Sequence, residues 1–551
     1  MNFFNENQLR KRKRLRFVFV VLSGLIVLTG LEGCGSSNYR FANAKPVAVY
    51  NDMQPVPVPE KNDFYKSYYT YDLLVQRPIV KGMIVSKRAP GRDVNAVDDV
   101  PASSWYTPRL GYRKISPEAL LKGPRKIGPP QLPVRVAKAK LAGGNPGFII
   151  KDSRNYLYLV KFDPPEFPGI ETTTALIVNR LYWGFGYNVP EDYLVYFHKD
   201  DFHVAENGKI RQEDVDEILS LVAPPKNGVY RTTVSLFLKG IIMGPIPATG
   251  TRKGDLNDKF AHENRRILRA LRVFNAFTNH TDMRIDNSLD VYEGEAGKGF
   301  VRHYMLDFGE AFAGHAMEHG RLWDGFDHMF SFRYMFQNLL TLGARVESWE
   351  NLKHTPWQSV GTFESKIYDP ATWKEVLPYV PIHYSGPEDN YWAAKVLGAL
   401  TEDHFRVLAE AAQFPEKGAT GYIVKVLNER QRKTVDYFIG KVSPIEFVRV
   451  TDEQLTLEDR GNILLNRGGE KSRYQVCITN GNGKQINKCR VVSAEKNILS
   501  IPIAKTQLTK ANGYLIVEVL AIRNGKKAPR PAEFHIRGDT GETPHLVGVV
   551  H

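Results

Sequence analysis

Asn279-His280-Thr281-Asp282-Met283-Arg284-Ile285-Asp286-Asn287, followed twenty residues later by Asp307-Phe308-Gly309, is the stretch on which the fold turns. An Asp and an Asn five apart in one loop reach the same small volume. A second Asp at a strand end can meet them there. Singly, each is the kind of residue that caps loops and makes turns. Together, hard oxygen ligands around an open site suit Mg²⁺, with phosphate oxygens completing the shell. Asp282 is placed to accept a proton from an attacking hydroxyl.

Around this stretch the periodicity predicts a mixed α+β domain. A strand from Val134 to Leu141, a turn at Ala142-Gly143-Gly144-Asn145-Pro146-Gly147 and a strand from Phe148 form the first hairpin. A strand over 155–162 carries Lys161, a cation that either meets phosphate or points to solvent. The glycine-rich turn offers backbone N–H groups to an anion. A helix is expected at 170–184, strands at 193–198 and 229–238, and a helix at 259–278. On that last helix Arg265, Arg266 and Arg269 lie off the apolar face and read as solvated. Two short strands, 288–292 and 300–306, flank a Gly-rich turn. Residues 320–442 look mainly helical. From about 445 the period shifts to two, as in an all-β, sandwich-like unit over 446–551. His280 reads as a structural part of its loop. His303, His315 and His319 match no standard ligand spacing. Trp183, Trp323, Trp357 and Trp392 read as core.

His-x-Asp followed by Asn and then Asp-Phe-Gly resembles the catalytic loop and metal motif of protein kinases. The variant at 279–289 is closer to the atypical branch: HipA-type kinases, spore-coat CotH-type kinases and type II phosphatidylinositol 4-kinases. The resemblance covers about 140–440. It implies a two-lobed protein-kinase-like domain at 136–445, with an N-lobe over about 136–242 and a C-lobe over about 243–445. It implies Asp282 as catalytic base, Asn287 and Asp307 as Mg²⁺ ligands, and Lys161 on the phosphates of ATP. Glu171 would be the ion-pair partner of Lys161, with Glu166 a rival, and Gly143, Gly144 and Gly147 would form the phosphate loop. No Ala-Pro-Glu motif follows Asp307, so control by loop phosphorylation is not implied. The activity implied is phosphoryl transfer to a hydroxyl on an envelope protein or other acceptor. The alternatives are a pseudokinase scaffold and, more weakly, transfer of AMP.

The rest of the chain sets the compartment. Residues 1–33 hold six basic and two acidic residues, and the basic run precedes an apolar stretch of 15 residues, Phe17 to Leu31. That is short for a membrane span of about 20 residues and suits a signal peptide. Leu31-Glu32-Gly33-Cys34 resembles a bacterial lipobox, which implies lipidation of Cys34 and an extracytoplasmic, membrane-anchored protein. Residues 34–135 read as a Pro-rich tether and an irregular extension. Of the net charge of +14, the leader accounts for +4; the remainder is spread without basic tracts, which excludes a nucleic-acid footprint. Besides Cys34 the chain has Cys477 and Cys489, equidistant from a hairpin midpoint near Gly483, and a cross-strand disulfide is expected.

Overall fold

The computed structural model describes residues 41, 50–62, 70–71, 89–140, 146–204, 210–315, 318–329, 331–465, 472–538 and 543–551, and element counts refer to these. The leader, Cys34, Gly143 and Gly144 lie outside them. The fold is mixed α+β.

The first sheet is built by alternation. Strands β1 (Val134–Lys140), β2 (Gly147–Lys151), β3 (Leu157–Phe162), β4 (Asp192–His198), β5 (Phe202–Val204) and β6 (Val229–Leu236) lie in the order β4-β6-β3-β2-β1-β5. One face buries Val134, Val136, Phe148, Ile150, Tyr158 and Val160 in a core shared with Val215, Ile218 and Leu219. A short helix, α1 (Pro117–Lys122), precedes this sheet, and α2 (Ile170–Phe185) follows β3. Glycines in the left-handed region bound α2: Gly169 at φ 93° and Gly186 at φ 111°. Every α2 residue except Trp183 is buried. Helix α3 (Gln212–Ser220) supplies the partners on the apolar face of the sheet.

A second sheet pairs β7 (Ile241–Gly244), β8 (Ser288–Glu293) and β9 (Phe300–Met305). Residues 50–62, within the expected tether, run along this sheet. Val56 bridges Gly299, Asn62 N–H donates to the Met243 carbonyl at 2.7 Å, and the Tyr292 hydroxyl donates to the Val56 carbonyl. This part of the chain is therefore docked, not a free spacer. Trp105, Tyr106 and Leu110, from the expected irregular extension, enter the main core.

The helix expected over 259–278 is shorter. A single turn at Arg266–Arg269 leads into α4 (Leu271–Thr278). Its arginines are not solvated. Arg265, Arg266 and Arg269 are 3%, 1% and 0% exposed. Arg266 pairs with Asp98 and Asp389, Arg269 with Asp389, and Arg265 with Asp258. An arginine inside a fold needs ion-pair or hydrogen-bond partners of this kind, because an unpartnered buried charge is far too costly. The region 320–442 is helical only in part. A long, largely irregular stretch separates α5 (Phe332–Leu340) from α6 (Pro387–Leu397), after which α7 (Glu402–Ala411) and α8 (Ala419–Ile439) follow closely. Arg430 of α8 donates to the Phe277 and Ala276 carbonyls at the C-terminal end of α4, where carbonyls lack a full set of intrahelical partners.

From 445 the chain forms two further sheets. One is β10 (Ile445–Val450), β11 (Gln454–Asp459) and β14 (Ile498–Pro502). The other orders β13 (Gln485–Ser493), β12 (Arg473–Asn480), β15 (Tyr514–Arg523), β17 (Ala532–Arg537) and β18 (His545–Val550), with β16 (Lys526–Lys527) on β15. Leu455, Leu457 and Ile501 of the first share one core with Val476, Val517 and Phe534 of the second. Cys477 and Cys489 form a disulfide between β12 and β13. No helix among the described residues is long and apolar enough to cross a membrane.

Candidate functional site

The β8–β9 hairpin closes the sequence gap between the acidic residues. Ser288 pairs with Met305 at its open end, and Leu306 N–H donates to the Asn287 carbonyl at 2.9 Å. Asn287 immediately precedes β8 and Asp307 follows β9 by two residues, so residues twenty apart in sequence become neighbours. The loop begins where Asn279 ends α4 in the left-handed region, φ 48°, a helix stop that Asn tolerates well. The Asn287 side-chain amide donates to the Asp282 carbonyl at 2.5 Å and to Asp282 Oδ2 at 3.1 Å. Both amide donations go to Asp282, which leaves the Asn287 side-chain oxygen as its acceptor for a cation. Arg284 donates to Asp282 Oδ2 at 2.9 Å.

Lys161 comes from β3. Its Nζ lies 2.5 Å from Asp307 Oδ1 and 3.2 Å from Glu171 Oε1. Glu171, in the first turn of α2, is 3% exposed, whereas Glu166 is exposed, so the choice between the two falls to Glu171. Gly309 is required where it stands: a Cβ there would sit 2.7 Å from the Glu171 carboxyl carbon. Gly147 lies opposite Lys161, and a Cβ on it would meet the Val160 carbonyl oxygen at 2.2 Å.

These charges act on one another at close range. The cost of burying Lys161 is outweighed by Asp307 and Glu171, which hold its ammonium above the ordinary lysine range. The Asp307 side chain is partly open to solvent, and Lys161 beside it holds the carboxyl below its usual range. Burial pushes Glu171 up despite Lys161. Burial lifts Asp282 to about 6 against the pull of Arg284 and Asn287.

A cavity of about 380 Å³ adjoins these groups. Leu159, Ile242, Leu289 and Leu306 give it apolar walls, and Lys161 and Asp307 stand in its lining. An apolar slot with charged groups in its lining is the usual form of a small-molecule site. A larger cavity, about 560 Å³, is lined by Arg272, Arg333 and Trp349 and contains none of the four residues Lys161, Asp282, Asn287 and Asp307.

No family model and no curated protein matches the chain. Among solved structures it is similar to the crystal structure of a Helicobacter pylori proinflammatory kinase, CtkA, at 12% identity, over 56% of this chain and 97% of that one, with a TM-score of 0.28.

The remaining expected residues go elsewhere. His280 is buried beside Tyr182 and Phe308, and burial lowers it to about 4, which keeps the ring neutral. His303 bonds Asp290 at 2.5 Å and stacks on Trp105. His319 bonds the Trp357 carbonyl. Trp392 lies in the main core.

Two charged groups near the site escape a reading by motif. Glu310 follows Gly309, and burial together with Asp282, Glu171 and Asp307 pushes it up to about 8. Lys140, at the end of β1, is lowered by burial and by Lys161. The signal for Glu310 is its place directly after Asp-Phe-Gly; that for Lys140 is its place directly before the glycine-rich turn.

Proposed function

We propose that residues 136–445 form a two-lobed, protein-kinase-like domain. In this reading the chain is a membrane-tethered, extracytoplasmic phosphotransferase that moves the terminal phosphoryl group of Mg²⁺-ATP to a hydroxyl on an envelope protein or other acceptor. The observation that carries the reading is the convergence on Lys161. It bridges Glu171 and Asp307, and the β8–β9 hairpin sets Asp307 beside Asn287 and Asp282.

Each residue then has a task. Lys161 neutralises phosphate charge, and Glu171 keeps it aimed. Asp282 orients the acceptor hydroxyl and takes its proton. Its pKa near 6 leaves it ionised at neutral pH and basic enough to do so. The Asp307 carboxylate and the Asn287 side-chain oxygen would hold Mg²⁺, and two hard oxygens fit that ion. Bound there, the metal would supply charge neutralisation on the phosphates. Catalysis on this plan is positioning and electrostatics. The leader, lipidation of Cys34 and anchoring in the cell envelope belong to the same reading, and the Cys477–Cys489 disulfide suits an oxidising compartment.

Thermal unfolding of the full chain with and without Mg²⁺-ATP tests it. Saturation at 100 times Kd stabilises by about 2.7 kcal/mol. The shift is expected in the wild type and is expected to be lost in Asp307→Ala. No shift in the wild type refutes the reading. A shift that survives Asp307→Ala refutes the metal assignment.

A further inference from the structure

We propose that Lys140 is a second phosphate-binding cation, set across from Lys161 over a slot that Gly147 leaves open for the triphosphate of the nucleotide. The proposal rests on the nucleotide reading above and adds to it a residue and a geometry.

The three residues share one row of the sheet. Lys140 is opposite Gly147 on β2, and Gly147 is opposite Lys161 on β3. Residues in one row project to the same face, and adjacent strands lie about 4.8 Å apart. The two lysines therefore flank a gap of about two strand spacings, ~10 Å, and the residue between them in the row is a glycine. Lys161 fixes which face this is, because its ammonium meets Asp307 and Glu171. The next row on that face is Lys138, Ile149 and Leu159, and Leu159 lines the cavity.

A bulge produces this orientation. Strict alternation from Val134 and Val136 would send Lys140 into the apolar face. The register of β1 against β2 shifts between Val136 and Lys138, and the shift turns Lys138 and Lys140 to the cleft. Bulges commonly re-aim side chains beside functional sites. Lys138 is exposed, but Lys140 is only half-exposed although it ends its strand. Its charge is felt by both Asp307 and Glu171.

The chemistry also calls for a second cation. Arg284 is engaged by Asp282, and Lys161 is shared between Glu171 and Asp307, while a triphosphate brings further negative charge to the same place. Pro146, just before Gly147, has no N–H to give to a phosphate. A lysine beside it supplies a charged donor instead, and hydrogen bonds to charged groups are the stronger ones.

Calorimetric titration of the full chain with Mg²⁺-ATP and with adenosine decides the matter, on wild type, Lys140→Gln, Lys140→Arg and Lys138→Gln. Lys140→Gln is expected to weaken Mg²⁺-ATP binding about ten- to a hundredfold and leave adenosine unchanged. Lys140→Arg should restore most of the loss, and Lys138→Gln should bind like wild type. Equal Mg²⁺-ATP affinity in Lys140→Gln, or an equal loss for adenosine, overturns the proposal. A wild type that binds neither compound overturns the nucleotide reading and the proposal with it. Acylation of the wild type, read by mass spectrometry at Lys140, gives the same answer without a variant. Mg²⁺-ATP should protect Lys140 several-fold and adenosine should not; no protection by Mg²⁺-ATP overturns the proposal.

Discussion

Gly309→Ala adds one methyl group at the closest approach in the site. The new Cβ would lie 2.7 Å from both Cδ and Oε1 of Glu171 and 2.8 Å from its Cγ, below any real Cβ contact. Gly309 is not in the left-handed region, so the backbone accepts alanine and the effect is steric. Glu171 is 3% exposed and has little room to withdraw without giving up Lys161 at 3.2 Å. Overpacking of this kind costs about 1–3 kcal/mol. The glutamate that moves also stops aiming Lys161, so Mg²⁺-ATP affinity should fall with stability. The assay is a double-mutant cycle in urea unfolding and Mg²⁺-ATP titration: wild type, Gly309→Ala, Glu171→Ala and the double variant. Glu171→Ala removes the clashing atoms, so Gly309→Ala should cost at least about 1 kcal/mol less in that background. An equal cost in both backgrounds, or a Gly309→Ala protein with unchanged stability and affinity, refutes the reasoning.

Asp389 is fully buried and accepts from Arg266 at 3.0 Å, Arg269 at 3.2 Å and the Gly386 N–H at 3.0 Å. Asp389→Ala should therefore cost about 3–5 kcal/mol by chemical denaturation. Breaking the exposed Lys253–Glu60 pair should leave stability nearly unchanged; comparable losses would refute the burial argument. His551, directly after β18, ties the C-terminal sheets to the segment before α1 by bonding Asp98 at 2.8 Å. Arg266 and His551 outweigh the cost of burial at Asp98 and hold it at about 2, so its contribution is present above its ordinary 3.8 and fades as pH falls toward 2. His551 is raised, with Asp98 and Glu446 outweighing burial, so its contribution is full below 6.5 and fades as pH rises through the raised value. The destabilisation caused by His551→Ala should accordingly peak between about pH 4 and 6.5, measured by unfolding across pH; a pH-independent difference would refute the pairing.

The acidic half of the site was legible because its geometry is local. A loop, a short hairpin and a strand end suffice to bring Asp282, Asn287 and Asp307 together, and each leaves a signature: turn residues, β alternation and a Gly-rich link. The choice between Glu171 and Glu166 was not legible. Both lie within ten residues of Lys161, and the decision is made by where α2 starts and by the missing side chain at Gly309. The buried arginines escaped for a different reason. A helix with apolar residues on one face and arginines off it looks amphipathic. Here the second face is covered by Asp98, Asp258 and Asp389, contributed from separate parts of the chain. Only the fold shows that the charges have partners.

Lys140 combines both kinds of failure. Its neighbours alternate correctly, and alternation alone assigns it to the wrong face. A single extra residue between Val136 and Lys138 reverses that assignment, because a strand has a period of two and any slip of one inverts every side chain beyond it. The bulge has no motif of its own in Val134-Arg-Val-Ala-Lys-Ala-Lys140. Its effect is nonetheless large: it takes two lysines from a face that would have to bury them beside Phe148 and Ile150 and turns them toward Lys161. A strand that ended in lysines on its apolar face would be expensive to fold. The bulge removes that cost and sets positive charge along the cleft, which is why the irregularity, more than any single residue of β1, connects the sequence of this strand to the site.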